Sequence, residues 1–130
     1  MAKRILVIDD IAFVRKTISD LLSKAHYQIV AEGCNGNEAV ELYFKHKPDA
    51  VTMDIAMPEL SGIEACQKIC KKDPDAKIIM ISALNQENII MEAINAGARD
   101  FLKKPFTSED LLKSTDHVLS GSEQAHKSAI

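Results

Sequence analysis

Short apolar runs in this chain stop on five residues that can do chemistry. Asp9 and Asp10 follow Ile5-Leu6-Val7-Ile8, Asp54 follows Val51-Thr52-Met53, Ser82 follows Ile78-Ile79-Met80-Ile81, and Lys104 follows Phe101-Leu102 and Lys103. Strand candidates begin near residues 5, 28, 50, 77 and 100, and each intervening segment has room for a helix and two loops. That spacing is the signature of repeated βαβ units, and right-handed crossovers then build a three-layer α/β sandwich. In an open parallel sheet, ligands and chemistry collect in the crevice at the carboxyl ends of the strands. Three carboxylates, one hydroxyl and one ammonium therefore converge on one pocket. Carboxylates this close repel, and a hard divalent cation such as Mg2+ relieves the repulsion. The pattern describes a magnesium site with an anion beside it.

The 130 residues suit one domain whose core needs no disulfide or structural metal. A formal net charge of -3, with no like-charge block longer than pairs such as Lys71-Lys72 and Lys103-Lys104, leaves no footprint for nucleic acid. Met1-Ala2-Lys3-Arg4 runs straight into a four-residue apolar run, too short for a signal-peptide core or a membrane span. A cytoplasmic chain with no membrane partner is expected. Cys34, Cys66 and Cys70 lack a C-x-x-C pair and fit a reduced compartment. Cys66 and Cys70 share a helix face at i, i+4 and read as buried thiols packing as small hydrophobes.

Helical periodicity and caps fill the segments between strands. Val14, Ile18, Leu21, Leu22 and Ala25 form one face of the first helix, and Ala39, Val40, Tyr43 and Phe44 one face of the second. Asn35-Gly36-Asn37 supplies a turn and a cap for that second helix, and Lys47-Pro48 ends it. Ser61 and Glu64 make an S-x-x-E capping box for the third, which Asp73-Pro74 closes. The fourth, Gln86 to Ala96 with Gly97 as a left-handed cap, is apolar over more than one stripe, so part of it is expected to face a partner. The fifth begins near Thr107 or Ser108 and carries Leu111, Leu112, Val118 and Leu119; from Ser120 onward the composition turns small and polar. The expected division is a folded unit over residues 1–119 and a short polar tail over 120–130.

Asp9-Asp10 after strand 1, Asp54 in M-D-I-A-M-P-E-L-S-G after strand 3, Ser82 after strand 4 and Lys104-Pro105 after strand 5 resemble the receiver domain of two-component response regulators over about residues 3 to 119. The resemblance implies a flavodoxin-like, CheY-like fold with a five-stranded parallel sheet of strand order 2-1-3-4-5. It implies that Asp54 is phosphorylated by a partner histidine kinase. Asp10 and Asp54 would bind Mg2+ directly, Asp9 through water, and Ala56 through its backbone carbonyl. Lys104 and Ser82 would contact the phosphoryl oxygens, and Phe101 would pack inward as Ser82 shifts. Lys104-Pro105 would be a cis peptide, although trans is the default at about 95% of X-Pro bonds. The output surface would be helix 4, strand 5 and helix 5. The segments Asp9 to Arg15 and Thr52 to Glu59 look like chemotaxis regulators of the CheY type, which makes flagellar motor control the expected pathway.

The residues also carry readings of their own. Asp54 is placed to act as a nucleophile toward phosphorus, with a cation offsetting the charge. Taken alone, adjacent aspartates before a helix are most simply an N-cap and its solvated neighbour. Phe101 equally suits a core or edge strand. Ala56, two after Asp54, and Leu84, two after Ser82, are apolar where a polar side chain would orient a hydrolytic water; Leu84 would shield the acyl phosphate, and slow self-dephosphorylation is expected. A phosphorelay intermediate, or a receiver belonging to a longer transcription regulator, would have the same pocket. A Mg2+-dependent phosphatase with an aspartyl nucleophile would need a second Asp where Ala56 stands. A flavin module would need a phosphate-cradling loop where Asp9-Asp10 would repel the ligand.

Overall fold

The computed structural model describes residues 2–120. The expected tail at 120–130 lies outside the described residues apart from Ser120. Five strands and five helices alternate along the chain: β1 (Arg4–Ile8), α1 (Ala12–Lys24), β2 (Gln28–Gly33), α2 (Gly36–His46), β3 (Ala50–Met53), α3 (Gly62–Lys72), β4 (Ile78–Ser82), α4 (Glu87–Asn95), β5 (Asp100–Lys103) and α5 (Ser108–Leu119). All pairings are parallel, in the order β2-β1-β3-β4-β5. The central strands β3 and β4 are buried at every residue, whereas the edge strands β2 and β5 are largely half-buried or exposed. That contrast is why β1, β3 and β4 read as continuous apolar runs.

Alternation along the strands divides the core in two. Leu6, Ile8, Val51, Met53, Ile78 and Met80 pack under α2, α3 and α4, together with Tyr43, Ile69 and Ala93. Ile5, Val7, Ala50, Ile79 and Ile81 pack under α1 and α5, against Ile18, Leu22, Leu111 and Val118. Successive side chains point to opposite faces, so a strand with helices on both sides is apolar at nearly every position, with Thr52 of β3 and Ser82 of β4 the buried polar residues in these two strands. Among the described residues no helix is long and apolar enough to cross a membrane.

Most caps fall where the sequence places them. The Asn35 side chain accepts from the Glu38 amide, Ser61 and Glu64 form the reciprocal box, and Gly97 takes φ +115 after α4. A second box, Thr107 with Asp110, opens α5. The Asp9-Asp10 pair caps nothing. The N-cap of α1 is Ile11, and its amide donates to Asp9 Oδ1 at 2.9 Å. The turn therefore spends one oxygen of Asp9 on the backbone and leaves Asp10 outside the helix.

Two glycines let the loop after β3 fold tightly. A Cβ on Gly62 would lie 1.9 Å from the Asp54 carbonyl oxygen, and one on Gly36 2.1 Å from that of Leu60. The Gly62 amide donates to the Ile55 carbonyl at 2.8 Å, so α3 starts directly against the strand end that carries Asp54. For Gly62→Ala, helix propensity favours alanine by at most about 1 kcal/mol, but overpacking against backbone costs about 1–3 kcal/mol or more. Urea denaturation should show a net loss of stability; an unchanged midpoint would mean that the loop yields without cost.

Candidate functional site

Backbone hydrogen bonds hold the acidic residues at the strand ends. The Asp9 amide donates to Gly33 O of β2 at 3.1 Å, and the Asp54 amide to Ile8 O of β1 at 3.0 Å. Carboxylate oxygens of Asp9, Asp10 and Asp54 consequently all lie within 4.8 Å of one another. Asp9 and Asp54 are buried and Asp10 is exposed. Asp54 Oδ1 accepts from the Ile55 amide at 2.8 Å, leaving Oδ2 toward the cluster. Mg2+ binds oxygens at about 2.0–2.1 Å, so two ligands of one ion stand no more than about 4.2 Å apart. All-oxygen donors gathered this closely are what a hard cation takes.

Lys104 enters from the far side of the pocket. Its Nζ lies 2.9 Å from Asp9 Oδ2 and 3.4 Å from Asp54 Oδ2, with the side chain largely buried. Its amide donates to Ser82 O at 3.0 Å, and the Lys104-Pro105 peptide is cis, as the resemblance implied. Lys103, its neighbour, is exposed. Ser82 is buried, and its Oγ accepts from the Leu84 amide at 3.0 Å.

The electrostatics follow from burial. Desolvation pushes the Asp54 carboxyl up to about 6, with Asp9 adding to the rise and Lys104 opposing it. Burial alone would depress the Lys104 ammonium, but its hydrogen bond and charge contacts with Asp9 and Asp54 outweigh that and hold it above its ordinary value. One ammonium faces three carboxylates, so a small cation has an electrostatic reason to bind here.

The residues expected at the site fall in different settings. Asp9, Asp10, Asp54 and Lys104 form one cluster, with Ser82 tied to Lys104 through the backbone. Ala56 is exposed, and Leu84 is 40% exposed. Phe101 is half-buried against the core beneath α2, α3 and α4, paired in register with Met80. On α4, Met91 is 52% exposed while Ile90 and Ile94 are half-buried, so the broad apolar surface is only partly used by the core. An open apolar groove of about 610 Å³, lined by Phe13, Val14, Thr17, Pro105 and Phe106 among others, includes Lys104 in its wall. Sequence reasoning missed Arg15, whose NH1 donates to the Asp9 carbonyl at 2.7 Å while Nε pairs with Glu32 at 3.2 Å. Its only signal was its place in a motif.

A parallel sheet of this order with three acidic residues at its strand ends is the arrangement expected of a receiver domain. Residues 5–116 match the response regulator receiver domain, and the chain belongs to that family. Within it, the chain is closely related to chemotaxis regulators. It is 49% identical to the chemotaxis protein CheY of Thermotoga maritima over 118 residues, covering 91% of this chain and 98% of the relative. It is 48% identical to the CheY of Bacillus subtilis over 120 residues, covering 92% and 100%. The fold superposes on CheY in a complex of CheX, CheY, BeF3 and Mg2+ from Borrelia burgdorferi with a TM-score of 0.87 at 32% identity, covering 89% of this chain and 88% of that one. Receiver domains are signalling switches that bind Mg2+, and the acidic cluster here suits that ion.

The raised Asp54 carboxyl sets a pH dependence. Its folded value of about 6 exceeds the ordinary 3.8, so between these limits the folded state holds more protons than the unfolded one. Stability of the metal-free protein should therefore fall as pH rises through that window. Asp54→Asn should raise Tm at about pH 7.5 and change it little near pH 4. Mg2+ should raise the wild-type Tm at the higher pH more than that of the variant. A variant less stable than wild type at about pH 7.5 would contradict this account of the carboxyl.

Proposed function

We propose that this chain is a phosphoacceptor switch in which Asp54 receives a phosphoryl group from a partner histidine kinase. The observation that carries this reading is the meeting of three carboxylates with the Lys104 ammonium at the ends of β1, β3 and β5. An Asp54 oxygen attacks phosphorus and the P–N bond to the kinase imidazole breaks. The electron pair returns to that nitrogen, and an aspartyl phosphate forms. Mg2+ supplies charge neutralisation for both the carboxylate and the incoming phosphoryl group. Asp10, Asp54 and the Ala56 carbonyl would hold it, with Asp9 acting through water.

Lys104 has a second task in this scheme. Without a cation, its ammonium is taken up by Asp9 and Asp54; once a cation offsets those carboxylates, it is free to turn toward phosphoryl oxygens. Ser82 would donate to the same oxygens. A group of charge about -2 drawing in Ser82 and its loop would carry Phe101 inward and alter the surface of α4, β5 and α5. Met91 offers exposed apolar area for an output target there. The apolar groove beside Lys104 suits a protein phosphodonor reaching the pocket mouth. The relationship to CheY proteins supports chemotaxis, with the flagellar motor switch as target and the cytoplasm as location. Residues 1–119 would be the working unit and 120–130 a tail.

Intact mass after incubation with acetyl phosphate and Mg2+ should show one added phosphoryl group. Asp54→Asn or a chelator should abolish it, and labelling that survives Asp54→Asn would overturn the assignment. Ala56 and Leu84 give no polar group to orient a hydrolytic water, so the acyl phosphate should decay slowly. Introducing Ala56→Asn with Leu84→Glu should speed decay about tenfold or more, the scale of one positioned polar group. An unchanged rate would show that these side chains do not set the lifetime.

A further inference from the structure

Arg15 reaches back from the second turn of α1 across the end of β1. Its guanidinium has a largely buried setting, with a side chain 23% exposed. One arm, NH1, donates to the Asp9 carbonyl at 2.7 Å, and Nε faces Glu32 of β2 at 3.2 Å. Both contacts come from one planar fork, a geometry that lysine cannot reproduce. The Asp9 carbonyl belongs to the peptide plane that leads into Asp10. Because that plane is rigid, directing the oxygen also directs the Asp10 amide and the start of its side chain. Asp9 is already held by its other groups: its amide on Gly33, Oδ1 on the Ile11 amide and Oδ2 on Lys104. Exposed Asp10 depends on its backbone for direction, and Arg15 supplies the restraint at that peptide.

We propose that Arg15 is a positioning residue for the cation site: by clamping the Asp9-Asp10 peptide against Glu32, it aims Asp10 at the position where Asp54 and Asp9 also point. This rests on the reading of the cluster as a Mg2+ site. The charge of Arg15 makes the idea sharply testable, because a cation beside the pocket opposes Mg2+ by simple repulsion. If Arg15 acted only through its field, removing the charge would tighten Mg2+ binding. If it acts by positioning, removing it weakens binding despite the relief of repulsion.

The experiment is calorimetric titration of Mg2+ into the full chain, with Arg15→Gln, Arg15→Lys and wild type at matched ionic strength. Thermal melts of each without metal accompany it. Loss of a group that orients metal ligands typically lowers affinity 10- to 100-fold, and both variants should bind about tenfold more weakly. Acetyl phosphate labelling of Asp54 should need correspondingly more Mg2+ and reach the same extent at saturation. Tighter binding in Arg15→Gln, or wild-type affinity in Arg15→Lys, would overturn the clamp. Metal-free melts that track the loss of affinity, with labelling that never reaches the wild-type extent, would reduce Arg15 to a structural residue and overturn it too. Absence of Mg2+ binding in wild type would sink the metal reading itself along with the clamp, whereas wild-type binding with unaffected variants would sink the clamp alone.

Discussion

The ion pair of Lys104 with Asp9 and Asp54 is the interaction around which the carboxyl end of this sheet is organised. Unit charges 4 Å apart interact by about 4 kcal/mol at an effective dielectric of 20, so three neighbouring carboxylates would strain the strand ends that carry them. A single ammonium at 2.9 and 3.4 Å relieves part of that repulsion. The Asp54 carboxyl is nevertheless pushed up to about 6, chiefly because burial removes water from it, with Asp9 adding to the rise. The protein tolerates the cluster as it stands, and a bound cation would complete it. An entirely satisfied pocket would have no reason to bind metal, and an unpaired one would strain the fold.

That balance needs a rigid frame. Asp9 and Asp54 leave their strands still bonded to the neighbouring strands, through Gly33 O and Ile8 O. The chain after Asp54 is trapped between two glycines that approach backbone too closely for any side chain. In the same loop Glu59 adopts a left-handed conformation at φ 68 and accepts a hydrogen bond from Asn37 at 3.1 Å, pinning the loop to α2. Groups held by strand ends and backbone contacts are placed more firmly than groups on free loops, which is what a site of three converging carboxylates requires.

The sequence made much of this legible because both the sheet and the pocket rest on local signals. Apolar runs marked the buried strands, and among the residues that follow them Asp9, Asp10, Asp54 and Lys104 cluster. The Ser61-Glu64 box and the Gly97 cap were readable from residue types alone, since each works within one turn of chain. Strand order, the cis peptide and the roles around phosphate came from family resemblance, since no local spacing encodes them. Arg15 was beyond local reading: its partners, the Asp9 carbonyl and Glu32, meet it only after α1 packs beside β2. The Thr107 box escaped because Asp110 stands where the usual pattern has Glu or Gln. Adjacent aspartates before a helix looked locally like a cap, yet Ile11 took that position, because Asp9 Oδ1 satisfies the Ile11 amide and the remaining oxygen is drawn to Lys104.

The hydrogen bonds around Ser82 bear on how the proposed switch would begin. Its Oγ accepts the Leu84 amide, so its own proton remains to donate to an incoming anion without breaking that bond. Its carbonyl accepts the Lys104 amide, tying β4 to the start of the loop after β5. Pulling on the hydroxyl therefore also pulls on Leu84 and on the backbone that aims Lys104. The response to phosphate would be a joint displacement of the loops after β4 and β5, not the flip of one side chain. Phe101, half-buried on β5 three residues before Lys104, would feel that displacement through the strand. In the proposed switch its incomplete burial would matter, because a fully packed aromatic ring would have no inner position left to occupy when the loops move.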